Sequence, residues 1–223
     1  MDKLYILCWN VQGLGGQAFP RFKGLIRADL NTTNVGAIDI LFLQEHHLST
    51  DRIRSYGSIL PGRLIHFWVP GIGPNSRQAG LCMAIKEQWA SIIVSTCTMS
   101  NKRAQFLILQ IGAQKTGIIN LYASNSASER ASFWISLSEY TGLADSWLVG
   151  GDFNMIEEAS DRRGGSISTI TGREARAWDS FCFSFGLLDL WNIHSISRMQ
   201  GSLHFSQSNG SMVAANLARL DRF

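Results

Sequence analysis

The chain has 223 residues, and 20 Lys+Arg against 17 Asp+Glu leave a formal net charge of +3. With 45% apolar and 17% charged residues it can bury a sizeable core, which excludes general disorder, and its length fits one domain over residues 1–223. No apolar run approaches the roughly 18 residues that cross a bilayer, and the amino-terminal residues carry no secretory h-region or cleavage site, so a soluble, intracellular protein is expected.

Cys8, Cys82, Cys97 and Cys182 are widely spaced, each in an apolar stretch and without zinc-type spacing. Buried thiols in a reducing compartment are expected, not disulfides. The charge is too small to demand a polyanionic partner. The short basic clusters Arg21/Lys23, Arg52/Arg54, Lys102/Arg103 and Arg162/Arg163 are expected on solvated surface.

In chain order, residues 4–9 read as a short buried strand that stops at the turn-rich Asn10-Val11-Gln12-Gly13. A helical face of Phe22, Leu25, Ile26 and Leu30 opens near Pro20. Residues 38–43 form a second apolar strand ending at Gln44-Glu45, and strands at 64–69 and 80–85 flank a Gly- and Pro-rich loop. Residues 92–97, 105–111 and 117–122 suggest a meander whose last two strands are joined by the five residues 112–116. Ser126 with Glu129, and Thr171 with Glu174, have capping-box spacing ahead of two amphipathic helices. Between those helices, strand 147–149 runs into Gly150-Gly151-Asp152-Phe153-Asn154, and shorter apolar segments at 187–191, 203–205 and 217–223 end the chain. Many short strands with few helices imply two packed sheets flanked by helices.

The recurrent signal is a polar residue delivered at a strand's carboxyl end: Asn10, Glu45, Asn120 and Tyr122, Asp152 and Asn154, and Asp221. Rigid strands hold such groups while the adjoining loops leave room for a ligand. Phosphate-ester cleavage would use this set. A hard divalent cation such as Mg²⁺ takes one or two protein carboxylates plus water and phosphate oxygens. Glu45 suits that role, with Asn10 either positioning it or binding weakly. Asp152 could deprotonate water. Asn154 could hold Asp152 or donate to phosphate, and Tyr122 could donate to the phosphate as charge builds.

Trp9-Asn10-Val11-Gln12-Gly13, Gln44-Glu45, Asn120-Leu121-Tyr122, Gly151-Asp152-Phe153-Asn154 and Arg219-Leu220-Asp221-Arg222 occur in the order seen in the endonuclease/exonuclease/phosphatase superfamily. More narrowly, the chain resembles the apurinic-endonuclease-like domain preceding the reverse transcriptase of plant-type non-LTR (LINE) retrotransposons. Arg130 with Trp134 and Leu137, and Asp161-Arg162-Arg163-Gly164-Gly165, add to that likeness. The resemblance implies an α/β fold, a DNase I-like four-layer sandwich of two mixed β-sheets flanked by helices, and Mg²⁺- or Mn²⁺-dependent cleavage of DNA. It implies Glu45 as the metal-binding carboxylate with Asn10 beside it, and Asp152 and Asn154 as handlers of the attacking water. Tyr122 matches the nuclease branch, where lipid and inositol phosphatases carry a His, and Asp221 matches the residue that orients a catalytic His.

That His belongs to a terminal Ser-Asp-His motif, whereas this sequence stops two residues after Asp221. A domain lacking its last strand or strands is therefore expected, with an exposed sheet edge and weakened or lost activity. The alternatives are an inactive retroelement-derived fragment and a phosphatase or lipid phosphodiesterase of the same superfamily. His46 and His47 are expected on the surface, pointing apart as neighbours in a strand do; His66, His194 and His204 belong to no motif. DNA binding is expected to be weak and salt-dependent, with no membrane partner, and the nucleus is a fitting address.

Overall fold

Parallel pairing within each sheet brings strand ends that are far apart in sequence to one edge of the molecule. The computed structural model describes residues 3–15, 20, 38–56, 64–73, 78–99, 101–155, 169–170, 172–188 and 202–206. Strands β1 (Lys3–Asn10), β2 (Ile40–Gln44), β3 (Leu64–Val69), β4 (Leu81–Lys86) and β9 (Ser202–Ser206) form a sheet in the order β3-β4-β2-β1-β9. Strands β5 (Ile93–Thr98), β6 (Ala104–Ile111), β7 (Gln114–Tyr122) and β8 (Ser146–Asp152) form a second sheet in chain order. β1 is parallel to β2, with Asn10 opposite Gln44. β7 is parallel to β8, with Tyr122 opposite Asp152. The other neighbours are antiparallel, β9 lying along the free side of β1.

The two-residue period of the strands sorts the apolar residues into three layers. Ile6, Cys8, Ile40, Phe42, Met83 and Ile85 of the first sheet face Leu107, Leu109, Ile118 and Leu148 of the second. The outer face of the second sheet, including Phe106, Ile119, Leu121 and Val149, packs under helices α2 (Ala127–Leu137) and α3 (Gly172–Phe185) through Phe133, Trp134, Trp178 and Phe181. Leu41, Leu43, Cys82 and Ala84 line the outer face of the first sheet, with Leu48 of the loop after β2 and Ile53 of the short helix α1 (Thr50–Tyr56) against them. This is the expected α/β sandwich of two mixed sheets with flanking helices. No helix among the described residues is long and apolar enough to cross a membrane. None of the four cysteines, all of them described residues, forms a disulfide; Cys8 and Cys82 are buried, and Cys97 and Cys182 partly so.

Several local expectations are corrected. The β6–β7 connection is a two-residue turn, because pairing continues to Ile111 opposite Gln114 and absorbs three residues into the strand. Ser126 makes no side-chain cap of α2. Ser124 stands between the two instead: its Oγ donates to Glu129 Oε2 and accepts from the Ser126 N–H. Glu174 is buried and receives the Arg130 guanidinium, which also donates to the Ser124 carbonyl at 3.0 Å. This ion pair joins the two helices to the loop after β7, where a lone buried charge would be costly. The helix expected over 22–30, Thr171, and the segments at 189–191 and 217–223 lie outside the described residues.

His46 is a further correction: it is fully buried, not on the surface. Its Nε2–H faces the carbonyls of Val69 at 3.0 Å and Leu81 at 3.1 Å, while Nδ1 accepts the Leu48 N–H at 3.0 Å. These three bonds specify the neutral tautomer protonated on Nε2. Burial lowers its pKa to about 4. The ring lies against Gly80, where a Cβ would come within 2.7 Å of it and where φ is +96°. His46 thus pins the loop after β2 to β3 and β4.

At Gly151, φ is +146° and a Cβ would fall 2.0 Å from the Leu121 carbonyl oxygen of the neighbouring strand. Gly151→Ala should cost about 3 kcal/mol through overpacking, read as a lower urea midpoint at an unchanged slope. The pH dependence follows from His46. Its folded-state pKa lies below the unfolded value, so the unfolded chain binds more protons between about pH 6.5 and 4. The stability from neutral His46 is fully present above that window and is lost as pH falls through it, on the order of 3 kcal/mol in all. Melting scans from neutral to mildly acidic pH should show this slope, and His46→Gln should flatten it.

Candidate active site

Both parallel pairs end at the same edge, and the loops after them continue the pairing. The N–H groups of Val11, Gly13 and Leu14 donate to the carbonyls of Gln44, Glu45 and His46 at 3.0, 2.7 and 3.0 Å. This zipper carries Asn10 beside Glu45. In the second sheet the Ala123 N–H donates to the Asp152 carbonyl at 2.8 Å, extending β7 against β8 and fixing Tyr122 beside Asp152.

The side chains of Asn10, Glu45, Tyr122, Asp152 and Asn154 converge across the two sheets. The Asn10 amide donates to Glu45 Oε1 at 2.9 Å and to Asp152 Oδ2 at 2.8 Å. Its carbonyl oxygen accepts the Gln12 N–H at 3.1 Å. Two carboxylates acting as acceptors and one N–H donor leave a single orientation for this amide. Asp152 also receives the Asn154 N–H on Oδ1 at 3.0 Å and the Asn154 side-chain amide on Oδ2 at 3.3 Å. Asn154 is held at φ +49° and donates to the Ala123 carbonyl at 2.9 Å. Of its two candidate roles, holding Asp152 is the one this geometry provides.

Between the two polar residues, Phe153 is buried among the helices, its ring 6.0 Å from Trp134 and 5.6 Å from Trp178. The apolar plug on one side aims Asp152 and Asn154 to the other. Tyr122 is hydrogen-bonded to Glu45; burial first, then the Glu45 carboxylate, push its phenol well above its ordinary pKa, so it stays protonated at neutral pH. Asp221 lies outside the described residues.

Three groups escaped the sequence reading. His47 does not point away from Glu45: its Nε2 lies 3.4 Å from Glu45 Oε2, with Glu45 and His47 only 21% and 28% exposed in their side chains. The backbone is left-handed at both positions, with φ +53° at Glu45 and +54° at His47. Arg103 is not merely solvated surface, since its guanidinium stacks 5.4 Å from the Tyr122 ring centroid and reaches the Tyr122 carbonyl at 3.5 Å. Asn120, expected at a strand end, is instead wholly buried between the sheets, and Gln44 lies beside it. Only the alternation of β2 and β7 could have revealed that pair, because both positions fall on the inward face.

The donor set suits a hard cation. Two carboxylates drawn together over one amide concentrate negative charge, and an ion of the Mg²⁺ type takes few protein oxygens and completes its shell with water and phosphate. Among the described residues no group of three or more His, Cys, Asp or Glu side chains could hold a metal alone.

A stretch of 164 residues, 70% of this chain, is 27% identical to the Transposon TX1 uncharacterized 149 kDa protein of Xenopus laevis. The match spans 12% of that relative's length. In fold, the chain is similar to the AP endonuclease LMAP from Leishmania major, with a TM-score of 0.66 at 14% identity over 86% of this chain and 69% of that one. It is also similar to D. rerio TDP2 complexed with a single-strand DNA product, with a TM-score of 0.50 at 17% identity over 70% of this chain and 62% of that one. The family model for the Endonuclease/Exonuclease/phosphatase family matches residues 7–222, nearly the whole sequence, and the chain belongs to that family.

Proposed function

We propose that this chain is a divalent-metal-dependent phosphodiesterase acting on DNA, an endonuclease of retroelement type. The observation that carries the reading is the single Asn10 amide bridging Glu45 of one sheet and Asp152 of the other. Glu45 would hold Mg²⁺ or Mn²⁺ by its carboxylate, with Asn10 fixing its orientation. The cation, when bound, neutralises charge on the scissile phosphate and on the departing oxygen.

The chain's own residues do the rest. Asp152, oriented by Asn10 and Asn154, accepts a proton from water as that water attacks phosphorus. Tyr122 stays a phenol and supplies a hydrogen-bond donor where negative charge develops. Asp221 is assigned, by its family position, to orient a catalytic histidine. The TX1 relative is a transposon protein by its name, the Leishmania structure is of an AP endonuclease, and the TDP2 structure holds a single-strand DNA product; these support a DNA substrate over a lipid one.

Nicking of supercoiled plasmid with Mg²⁺ tests the reading. EDTA should abolish nicking, and Asp152→Asn should lower its rate on the order of 10²–10⁴-fold, the range for a lost general base. Soluble, folded protein that leaves plasmid intact in Mg²⁺ and in Mn²⁺ would sink the proposal. Glu45→Gln should weaken Mn²⁺ binding, followed by the EPR signal of the free ion, with little change in melting temperature. DNA affinity should fall roughly tenfold or more from low to physiological salt; an affinity indifferent to salt would argue against a phosphate-tracking surface.

A further inference from the structure

Along the inward faces of the strands, side-chain chemistry changes in steps toward the site. Ile40 and Phe42 of β2 are followed by Gln44, and Ile118 of β7 by Asn120. Leu109 and Leu107 of β6 lead, in the reverse direction, to Gln105. All three amide side chains belong to buried residues. They form a layer between the apolar core and the ionised groups, and every one of them reaches the opposite sheet. Gln44 Nε2 donates to Asn120 Oδ1 at 2.6 Å. The Asn120 amide donates to the carbonyls of Leu43 at 3.2 Å and Cys82 at 2.9 Å. Gln105 donates to the Phe67 carbonyl at 2.7 Å.

Cohesion alone does not account for this layer. Two sheets are held together as well by apolar side chains, and replacing both partners of a buried hydrogen bond with apolar groups of like shape is nearly neutral. Apolar contact is non-directional, however, and lets sheets slide. A hydrogen bond fixes distance and angle, and a buried pair whose polar atoms are bonded, as Gln44 and Asn120 are, specifies one arrangement. The residues it indexes are immediate neighbours of the site: Gln44 precedes Glu45, and Asn120 stands two positions before Tyr122 on the same face. We infer that Gln44 and Asn120 are positioning residues, an intersheet clamp that sets the spacing of Glu45 from Asp152 and Tyr122. This deepens the nuclease reading and rests on it for its activity arm alone.

The Asn10–Asp152 hydrogen bond of 2.8 Å crosses from β1 to β8 and reports that spacing directly. Crystal structures and melting curves of the wild type and of Gln44→Met/Asn120→Leu form the test. The double variant should fold but melt somewhat below the wild type, because the Leu43 and Cys82 carbonyls lose the Asn120 donor, and it should lose the Asn10–Asp152 contact. Its Mn²⁺ affinity should drop about tenfold and its nicking rate about 10²-fold, as expected for a misplacement near 1 Å. A contact kept at its present length, with wild-type metal affinity and nicking, overturns the clamp. Should the double variant fail to fold, Gln44→Met alone serves, since it leaves both Asn120 bonds to the Leu43 and Cys82 carbonyls in place. A wild type that folds with the contact intact but never nicks DNA refutes the nuclease reading, and the crystallographic comparison still decides the clamp.

Discussion

One amide group holds the site together. The side-chain nitrogen of Asn10 has two hydrogens, and it gives them to carboxylates from opposite sheets. Without that bridge, Glu45 and Asp152 would approach each other only against like-charge repulsion, which is steep where water is partly excluded. Everything else in the arrangement bears on keeping this three-residue contact in shape. Parallel pairing of β1 with β2 sets Asn10 beside Glu45, and parallel pairing of β7 with β8 sets Tyr122 beside Asp152. Antiparallel strands, whose neighbouring ends point oppositely, would have dispersed these groups.

The loops that carry the charged residues are built to resist relaxation. Glu45 occupies a left-handed conformation that costs a non-glycine residue energy. The cost is met by its neighbour, since His46 is locked by three hydrogen bonds in a fully buried seat. Asn154 is likewise held left-handed, between the Ala123 carbonyl and the carboxylate it serves. In both places a buried anchor lies next to a strained, polar position, so rigidity is supplied from the core side and chemistry is presented on the other.

Much of this was legible in the chain itself. The strand ends at Asn10, Glu45, Tyr122 and Asp152 could be located from apolar runs that stop at polar residues, and the two-sheet architecture followed from the number of such runs. The Gly-Gly-Asp-Phe-Asn turn was legible from its glycines, and Gly151 takes a backbone conformation and an approach to Leu121 that a side chain would not tolerate. What failed was any reading that assumed regular backbone beyond a strand's end. His46 and His47 were misjudged as surface residues because the loop after β2, left-handed at 45 and 47, seats the His46 ring against β3 and β4 and leaves His47 beside Glu45. Ser126 has capping-box spacing with Glu129, but that glutamate is bonded by Ser124 instead; Thr171, spaced likewise before Glu174, lies outside the described residues. Alternation could place Gln44 and Asn120 on inward faces, but not pair them, because a hydrogen bond between residues 76 positions apart depends on how two sheets stack.

Phe153 gives the arrangement a thermodynamic consequence. Its ring is part of the aromatic cluster of Trp134, Trp178 and Phe181, while the residues on either side of it belong to the site. Cooperative subunits of a native protein open with different free energies, and a segment is no more persistent than the unit that anchors it. Here the anchor is the helical layer, closed by the Arg130–Glu174 ion pair. An excursion that lifts α2 and α3 from the second sheet would unseat Asp152 and Asn154 while the first sheet, with Asn10 and Glu45, stayed folded. The persistence of this five-residue arrangement is therefore tied to helices that contribute none of its side chains.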